Sequence, residues 1–293
     1  MSPSTLISPR QLAQAIGASE SSLKRWADDG LIQVSKTAGG HRRIRVTEAI
    51  RFIRDRRIAV VKPSAIGLSP SLAMADESTS EKASIEHFTE LLTSNEPQRA
   101  ETYLEARYLA GDSVATLGDN LIRTALATIG EIWKHRSDGI MLEHRATDSC
   151  LRALIRIRML FHPDPDAPKA IGGAIPNDDY LIPPLLASIV AAECGFHATN
   201  LGPNNPFPTI RHAVDELEPP LIWIATSKVE EPMATAEAIH ELAAHVAMFS
   251  GVLAVGGREL EMIDIKEGPF LKKCDSMVAF EQLANAIKSS ISA

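Results

Sequence analysis

Three groups of residues in this sequence have types and spacings that could do chemistry. Near the N-terminus, Ser22, Lys24 and Arg25 are followed by His41, Arg42, Arg43 and Arg45, donors and cations suited to phosphate oxygens. In the middle, Trp133 precedes Glu143 and His144 with nine residues between it and the glutamate, bringing an indole, a carboxylate and an imidazole near one end of a helical pair. Toward the C-terminus stand Asp178 and Tyr180, then Leu201-Gly202, Ser227 and Gly256-Gly257. Of the nine histidines, His144 is the best placed for a metal, with His135 as another candidate. Tyr180 offers a phenol, whose ordinary pKa near ~10 makes it a poor metal ligand unless it is deprotonated. Each residue alone also has a plainer reading, as a core-capping indole, a glutamate in a helix's first turn or a surface histidine.

The elements that must position these groups follow from the length and pattern of the chain. It has 293 residues, enough for two or three small domains, with 45% hydrophobic and 23% charged residues. No apolar run approaches the ~18–20 residues needed to cross a bilayer, and the start lacks a signal-peptide pattern, so a cytoplasmic protein is expected with no membrane partner. The three cysteines, Cys150, Cys194 and Cys274, show no metal or disulfide spacing. Charge divides unevenly. Residues 1–62 hold 12 Lys and Arg against 5 Asp and Glu, while the remainder holds 18 against 32. A basic head on an acidic body is the distribution expected when only the head meets phosphate.

Ser8-Pro9 reads as an N-cap and first helical position, Leu12, Ala13 and Ile16 as the buried stripe, and Gly17 as the stop. Ser19 caps a second helix to about Asp29, in which Trp26 reads as core. Thr37-Ala38-Gly39-Gly40-His41-Arg42-Arg43 then reads as a hairpin with a basic returning strand, and Val46 to Ile58 as a third helix with Ala49, Ile50, Ile53 and Ile58 buried. This order resembles the winged helix-turn-helix of the MerR family, and Thr-x-Gly-Gly-His-Arg resembles its light- and vitamin B12-responsive branch. The resemblance covers about 55 residues. It implies a transcription regulator that binds a double-stranded DNA operator through Ser22, Lys24, Arg25, His41, Arg42 and Arg43. No heptad pattern follows Ile58; residues 62–82 read as a flexible linker.

Helical spacing over 84–94, 97–110, 113–136 and 140–161 predicts a four-helix bundle, with Leu117, Leu121, Ala125, Ile129 and Trp133 in one line. The phrase Trp133, Glu143, His144 resembles the cap domain of adenosylcobalamin-dependent photoreceptor repressors, the CarH family. That resemblance implies that these three cover the upper face of a corrin. In the light-sensing members a histidine directly follows the tryptophan; here Lys134 holds that place and His135 comes next.

After Pro163, Pro165 and Pro168, strands are predicted at 170–175, 197–201, 221–225, 252–255 and 276–280. Helices are predicted at 181–194, 208–217, 233–246, 258–265 and 281–290, giving a parallel sheet covered on both faces. The tail resembles the Rossmann-like cobalamin-binding domain. Leu201-Gly202-Pro203, Ser227-Lys228-Val229 and Gly256-Gly257 match its motifs, the two glycines being expected to let a nucleotide tail approach the backbone. The first motif is broken, since Asp178, Tyr180 and Pro183 stand where Asp, His and Gly belong.

The expected architecture is thus multidomain, α and α/β: a winged head at 1–61, a linker at 62–82, a cap-like bundle at 83–164 and a Rossmann-like domain at 165–293. The expected function is a DNA-binding regulator, not an enzyme, that senses adenosylcobalamin or another tetrapyrrole such as haem. Light is a signal that the resemblance adds. The ligand site would comprise Trp133, Glu143, His144, Asp178, Tyr180, Leu201, Gly202, Ser227, Gly256 and Gly257, with His144, Tyr180 and His135 as candidate metal ligands. The alternative is a tail that binds no ligand and serves only oligomerisation or docking. A homo-oligomer, dimer or tetramer, is expected in either case.

Overall fold

Capping chemistry sets the first elements. The computed structural model describes residues 6–68, 72, 81–94, 96–133, 138–163 and 166–292. Strand β1 (Leu6–Ile7) leads into helix α1 (Pro9–Ile16). Ser8 and Gln11 form a reciprocal capping box, and Gly17 ends the helix at φ 66°. Ser19 Oγ accepts from the Ser22 N–H at the start of α2 (Glu20–Asp28). Strands β2 (Ser35–Lys36) and β3 (Arg42–Arg45) pair antiparallel, with β1 on the far side of β3. Helix α3 (Val46–Arg56) comes next. Leu12, Leu23, Ile32, Ile44, Phe52 and Ile53 form the core of these elements.

One part of the expected linker is structured. Pro63–Ile66 form a 3₁₀ turn, with Pro63 and Ile66 buried and Ile66 in the same core. Pro63 presets the turn, and Ile66 gains burial that a free linker residue lacks. The rest of the expected linker, at 69–71 and 73–80, lies outside the described residues. Helix α4 (Glu81–Thr93) begins within the expected linker, and it packs with α5 (Pro97–Ala110), α7 (Arg123–Trp133) and α8 (Gly139–Arg158) as a four-helix set. The helix expected at 113–136 is interrupted. It starts as α6 (Val114–Thr116), widens into a π-helical segment at Leu117–Ile122, and resumes as α7.

By compactness the chain divides into Met1–Ser113 with Asn120–His162, and Val114–Asp119 with Pro163–Ala293. The second unit holds a five-stranded parallel sheet in the order β5-β4-β6-β7-β8. Its strands are β4 (Lys169–Ala174), β5 (His197–Asn200), β6 (Leu221–Ala225), β7 (Val252–Gly256) and β8 (Leu271–Lys273). Helices α9 (Ile182–Glu193) and α12 (Met277–Ser292) pack together on one face; α10 (Phe207–Leu217) and α11 (Pro232–Ala247) pack together on the other. The short α6 packs against α9 and α12. Asp119 accepts from the N–H groups of Met277 (2.9 Å) and Val278 (3.0 Å), donors at the start of α12 that have no partner within the helix.

Two expectations for the tail are corrected. The stretch at 276–280 is no strand: Ser276 Oγ accepts from the Ala279 N–H (3.1 Å) and starts α12. The fifth strand is β8. The helix expected at 258–265 is only a 3₁₀ turn at Leu260–Met262. Among the described residues no helix is long and apolar enough to cross a membrane.

Candidate functional site

In the N-terminal unit, Lys24 and Arg25 are exposed on α2 and His41 is exposed at the tip of the β2–β3 ribbon. The tip closes through Gly40 N–H to Thr37 O (2.8 Å) and Thr37 N–H to His41 O (2.9 Å), with Gly40 at φ 78°. Trp26 lies inward, its ring 5.2 Å from that of Phe52. Two of the expected contact residues have other partners. Ser22 donates its N–H to Ser19 and shares a hydroxyl hydrogen bond with it at 2.9 Å. Arg42 Nη2 reaches Asp28 Oδ1 at 2.5 Å and Nη1 donates to the Lys24 carbonyl at 3.2 Å. Arg43 is half-buried, opposite Ser35 in the ribbon.

On α8, Glu143 is half-buried and His144 is exposed. His144 borders an open groove of about 620 Å³ with Asp138, Ile140, Met141, Arg145 and Asp148. The Trp133 side chain, Lys134 and His135 lie outside the described residues. Among the described residues no three His, Cys, Asp or Glu side chains gather as a metal site.

In the α/β unit, the loops after β4, β5, β6 and β7 meet at the carboxyl edge of the sheet, where open parallel sheets bind ligands. Asp178 is their hub. It is fully buried, and its Oδ2 accepts from the Ser227 N–H (2.6 Å), its Oδ1 from the Tyr180 N–H (3.2 Å). Its own carbonyl accepts from the Asn204 N–H at 2.9 Å. Burial pushes the Asp178 carboxyl upward, while the backbone donors of Ser227 and Tyr180 and the charge of Arg258 pull it down. Asp178→Ala would strand two donors, the buried Ser227 N–H and the partly buried Tyr180 N–H, and cost about 2 kcal/mol of stability. Urea unfolding checks this, with Asp178→Asn losing less because its amide oxygen still accepts.

Tyr180 is 42% exposed, and the Arg258 guanidinium lies 4.8 Å from its ring centre. Arg258 Nη2 donates to the Tyr180 hydroxyl (3.2 Å) and to the Ser227 carbonyl (3.0 Å). Ser227 Oγ is buried and has no hydrogen-bond partner. Leu201 N–H donates to Gly172 O (2.8 Å), and Gly202 turns the chain at φ 81°.

Gly256, the last residue of β7, and Gly257 after it are both required by the chain's own packing. A Cβ on Gly256 would lie 2.5 Å from the Cys274 carbonyl oxygen, and one on Gly257, at φ 148°, 2.5 Å from the Thr226 backbone. Three participants were not foreseen. Arg258 clamps Tyr180. Asn205 donates its side-chain amide to Gly202 O (2.8 Å) and Ala174 O (3.2 Å). Glu259 accepts from the Val229 N–H (2.7 Å). Only Arg258 had a cue, a cation directly after the paired glycines.

The fold and site together define an open α/β protein with a helical unit before it. A monomethylamine corrinoid protein of Methanosarcina barkeri has this fold, with a TM-score of 0.53, 10% identity, and coverage of 71% of this chain and 100% of that one. The α/β unit is less than half of this chain, so that likeness extends into residues of the other unit. A methanol:cobalamin methyltransferase complex of the same organism (14% identity, 75% and 88% coverage) and a cobalamin-binding protein of Desulfitobacterium hafniense (12%, 71% and 98%) align at TM-scores of 0.36 and 0.35, too low to define a shared fold. No family model and no curated protein matches the sequence.

Proposed function

We propose that the chain is a DNA-binding transcription regulator of the winged helix-turn-helix type, carrying an α/β unit of corrinoid-protein fold as its regulatory part. The observation that carries this is the head, where exposed Lys24 and Arg25 on α2 accompany a ribbon bearing His41, Arg43 and Arg45. A helix for the major groove beside a basic ribbon for the backbone is how such heads meet DNA.

The fold likeness raises cobalamin as the ligand, but the residues do not fit a histidine-held corrinoid. A phenol stands where the family's motif has an imidazole, and its oxygen accepts a hydrogen bond from Arg258, a permanent cation. The α/β unit is therefore read as an oligomerisation or docking module that gathers several heads on one operator and carries out no catalysis. One observation favours a second reading, a tetrapyrrole held without histidine: the buried, unpartnered Ser227 hydroxyl is available to a ligand's polar group.

Gel shifts on a DNA duplex with the protein alone, with adenosylcobalamin and with haem separate these readings, alongside absorption spectra after desalting. The expected result is equal affinity in all three and no retained chromophore. A retained chromophore that changes affinity replaces the first reading by the second. Absence of DNA binding at low salt overturns the regulator.

A further inference from the structure

Arg42 stands in the most basic stretch of the head, yet it is spent on the protein itself. Its side chain is 24% exposed. One arm of the guanidinium pairs with Asp28, the last residue of α2, at 2.5 Å. The other donates to the Lys24 carbonyl, in the middle of the same helix, at 3.2 Å. At Asp28 the guanidinium also lies by the C-terminal end of α2, where a cation is favoured because the last carbonyls carry partial negative charge. Two acceptors held by one planar fork fix a direction, which a single ammonium cannot do. Arg42 is also the first residue of β3 and lies beside the ribbon tip.

We infer that Arg42 and Asp28 are positioning residues, which hold the ribbon at a fixed distance from α2 so that Lys24 and Arg25 on the helix and His41 on the ribbon reach one stretch of DNA backbone together. The inference rests on the DNA-binding reading and deepens it. It moves Arg42 out of the phosphate-contacting set and brings in Asp28, an acid that electrostatics alone would place among the unfavourable residues.

The sign of the Asp28 effect decides. Removing a negative charge near DNA normally strengthens binding to any sequence. If Asp28 anchors Arg42, Asp28→Asn weakens binding instead, although it adds positive charge. Arg42→Lys keeps the charge and loses the fork, so it binds about as poorly as Arg42→Ala, roughly tenfold below the native chain.

The experiment uses fluorescence anisotropy of the full chain with a random-sequence duplex of about three helical turns, over a series of salt concentrations. A lost phosphate contact flattens the plot of log affinity against log salt by about 0.9. That flattening is expected for Lys24→Ala and for Arg25→Ala, and not for Arg42→Ala, Arg42→Lys or Asp28→Asn. Amide exchange of Thr37 and Gly40, whose N–H groups close the ribbon tip, is measured on the same variants without DNA and rises in all three anchor variants. Tighter binding by Asp28→Asn, or a flattened slope for Arg42→Ala, overturns the inference. Unchanged exchange overturns the anchoring alone. A native chain that does not bind the duplex removes the DNA-binding reading and this inference with it.

Discussion

Gly172→Ala will fail to accumulate as folded protein, whereas Gly130→Ala will melt above the native chain. A Cβ at Gly172 would lie 2.1 Å from the Trp223 carbonyl oxygen and 2.5 Å from the indole ring. Gly172 and Trp223 are register partners on adjacent central strands, β4 and β6, so neither backbone can withdraw without breaking the ladder. The indole itself is 2% exposed and packed edge-on to Phe280 of α12 at 6.4 Å. Relief would have to move a strand, a large buried ring and a helix at once. Overpacking of well-filled cores costs about 1–3 kcal/mol where side chains can adjust. Here the obstacle is backbone, so the cost lies at or above the top of that range, against a total stability of about 5–15 kcal/mol. Gly130 is the control, for its Cβ would meet nothing within 4 Å and it lies inside α7. Alanine there restores about 0.5–1 kcal/mol of helix preference. Soluble yield and thermal melting read both variants. A folded Gly172→Ala chain with native melting would mean that β4 and β6 are not neighbours in this register.

How much of this was legible from the sequence depends on the range over which each feature is decided. Strand β6 was found to the residue, because Leu-Ile-Trp-Ile-Ala is an unbroken apolar run of the kind buried in a parallel sheet. The stretch Met277 to Phe280 was misjudged because four apolar residues fit a strand or a helix equally, and the deciding groups, Asp119 and the Ser276 cap, act from outside the run. Strand β8 went unseen, since two of its three residues are lysines at the sheet's edge, a composition that hides a strand while protecting the edge. The carboxyl-edge residues Asp178, Tyr180 and Ser227 were identified by motif spacing, and the fold does bring them together. Their partners Arg258 and Asn205 were not, because contacts between loops leave no local periodicity. Gly256 and Gly257 read as admitting a ligand's tail, and their close contact with the Cys274 and Thr226 backbone, which itself requires glycine, has no local cue in the sequence. Arg42 shows the same limit: in a basic ribbon an arginine reads as a phosphate contact until its acid, fourteen residues earlier, is seen beside it.

Arg156→Ala will destabilise the helical unit by about 2–3 kcal/mol near neutral pH, and the deficit will shrink on acidification. Glu101 and Glu105 on α5 are both 6% exposed. Arg152 Nε donates to Glu101 at 2.9 Å, and Arg156 reaches Glu101 at 3.0 Å and Glu105 at 2.9 Å. Arg156 thus serves two buried carboxylates, and removing it leaves Glu105 to bear its charge without its cation. The usual penalty for breaking a buried pair is about 3–5 kcal/mol, lowered here because Arg156 is one-third exposed and water can follow it out. Burial already holds the Glu105 carboxyl above the ordinary glutamate value despite the pull of Arg156 in the other direction. Deleting Arg156 lifts it further. A carboxyl whose folded pKa lies above its unfolded one contributes stability that is present below the unfolded value, near ~4.3, and lost as pH rises through the folded value. The gap between variant and native chain is therefore widest at alkaline pH and closes from there toward pH ~5. Urea unfolding across that range measures it. Arg156→Ala combined with Glu105→Gln should recover most of the loss at alkaline pH, since an amide has no charge to leave unpaired. By contrast Arg51, nearly half-exposed between Glu48 and Asp55 on the surface of α3, should cost less than about 1 kcal/mol when replaced by alanine. A gap that stays constant with pH would show that Arg156 acts by packing alone, and that charge on Glu105 is not what joins α5 to α8.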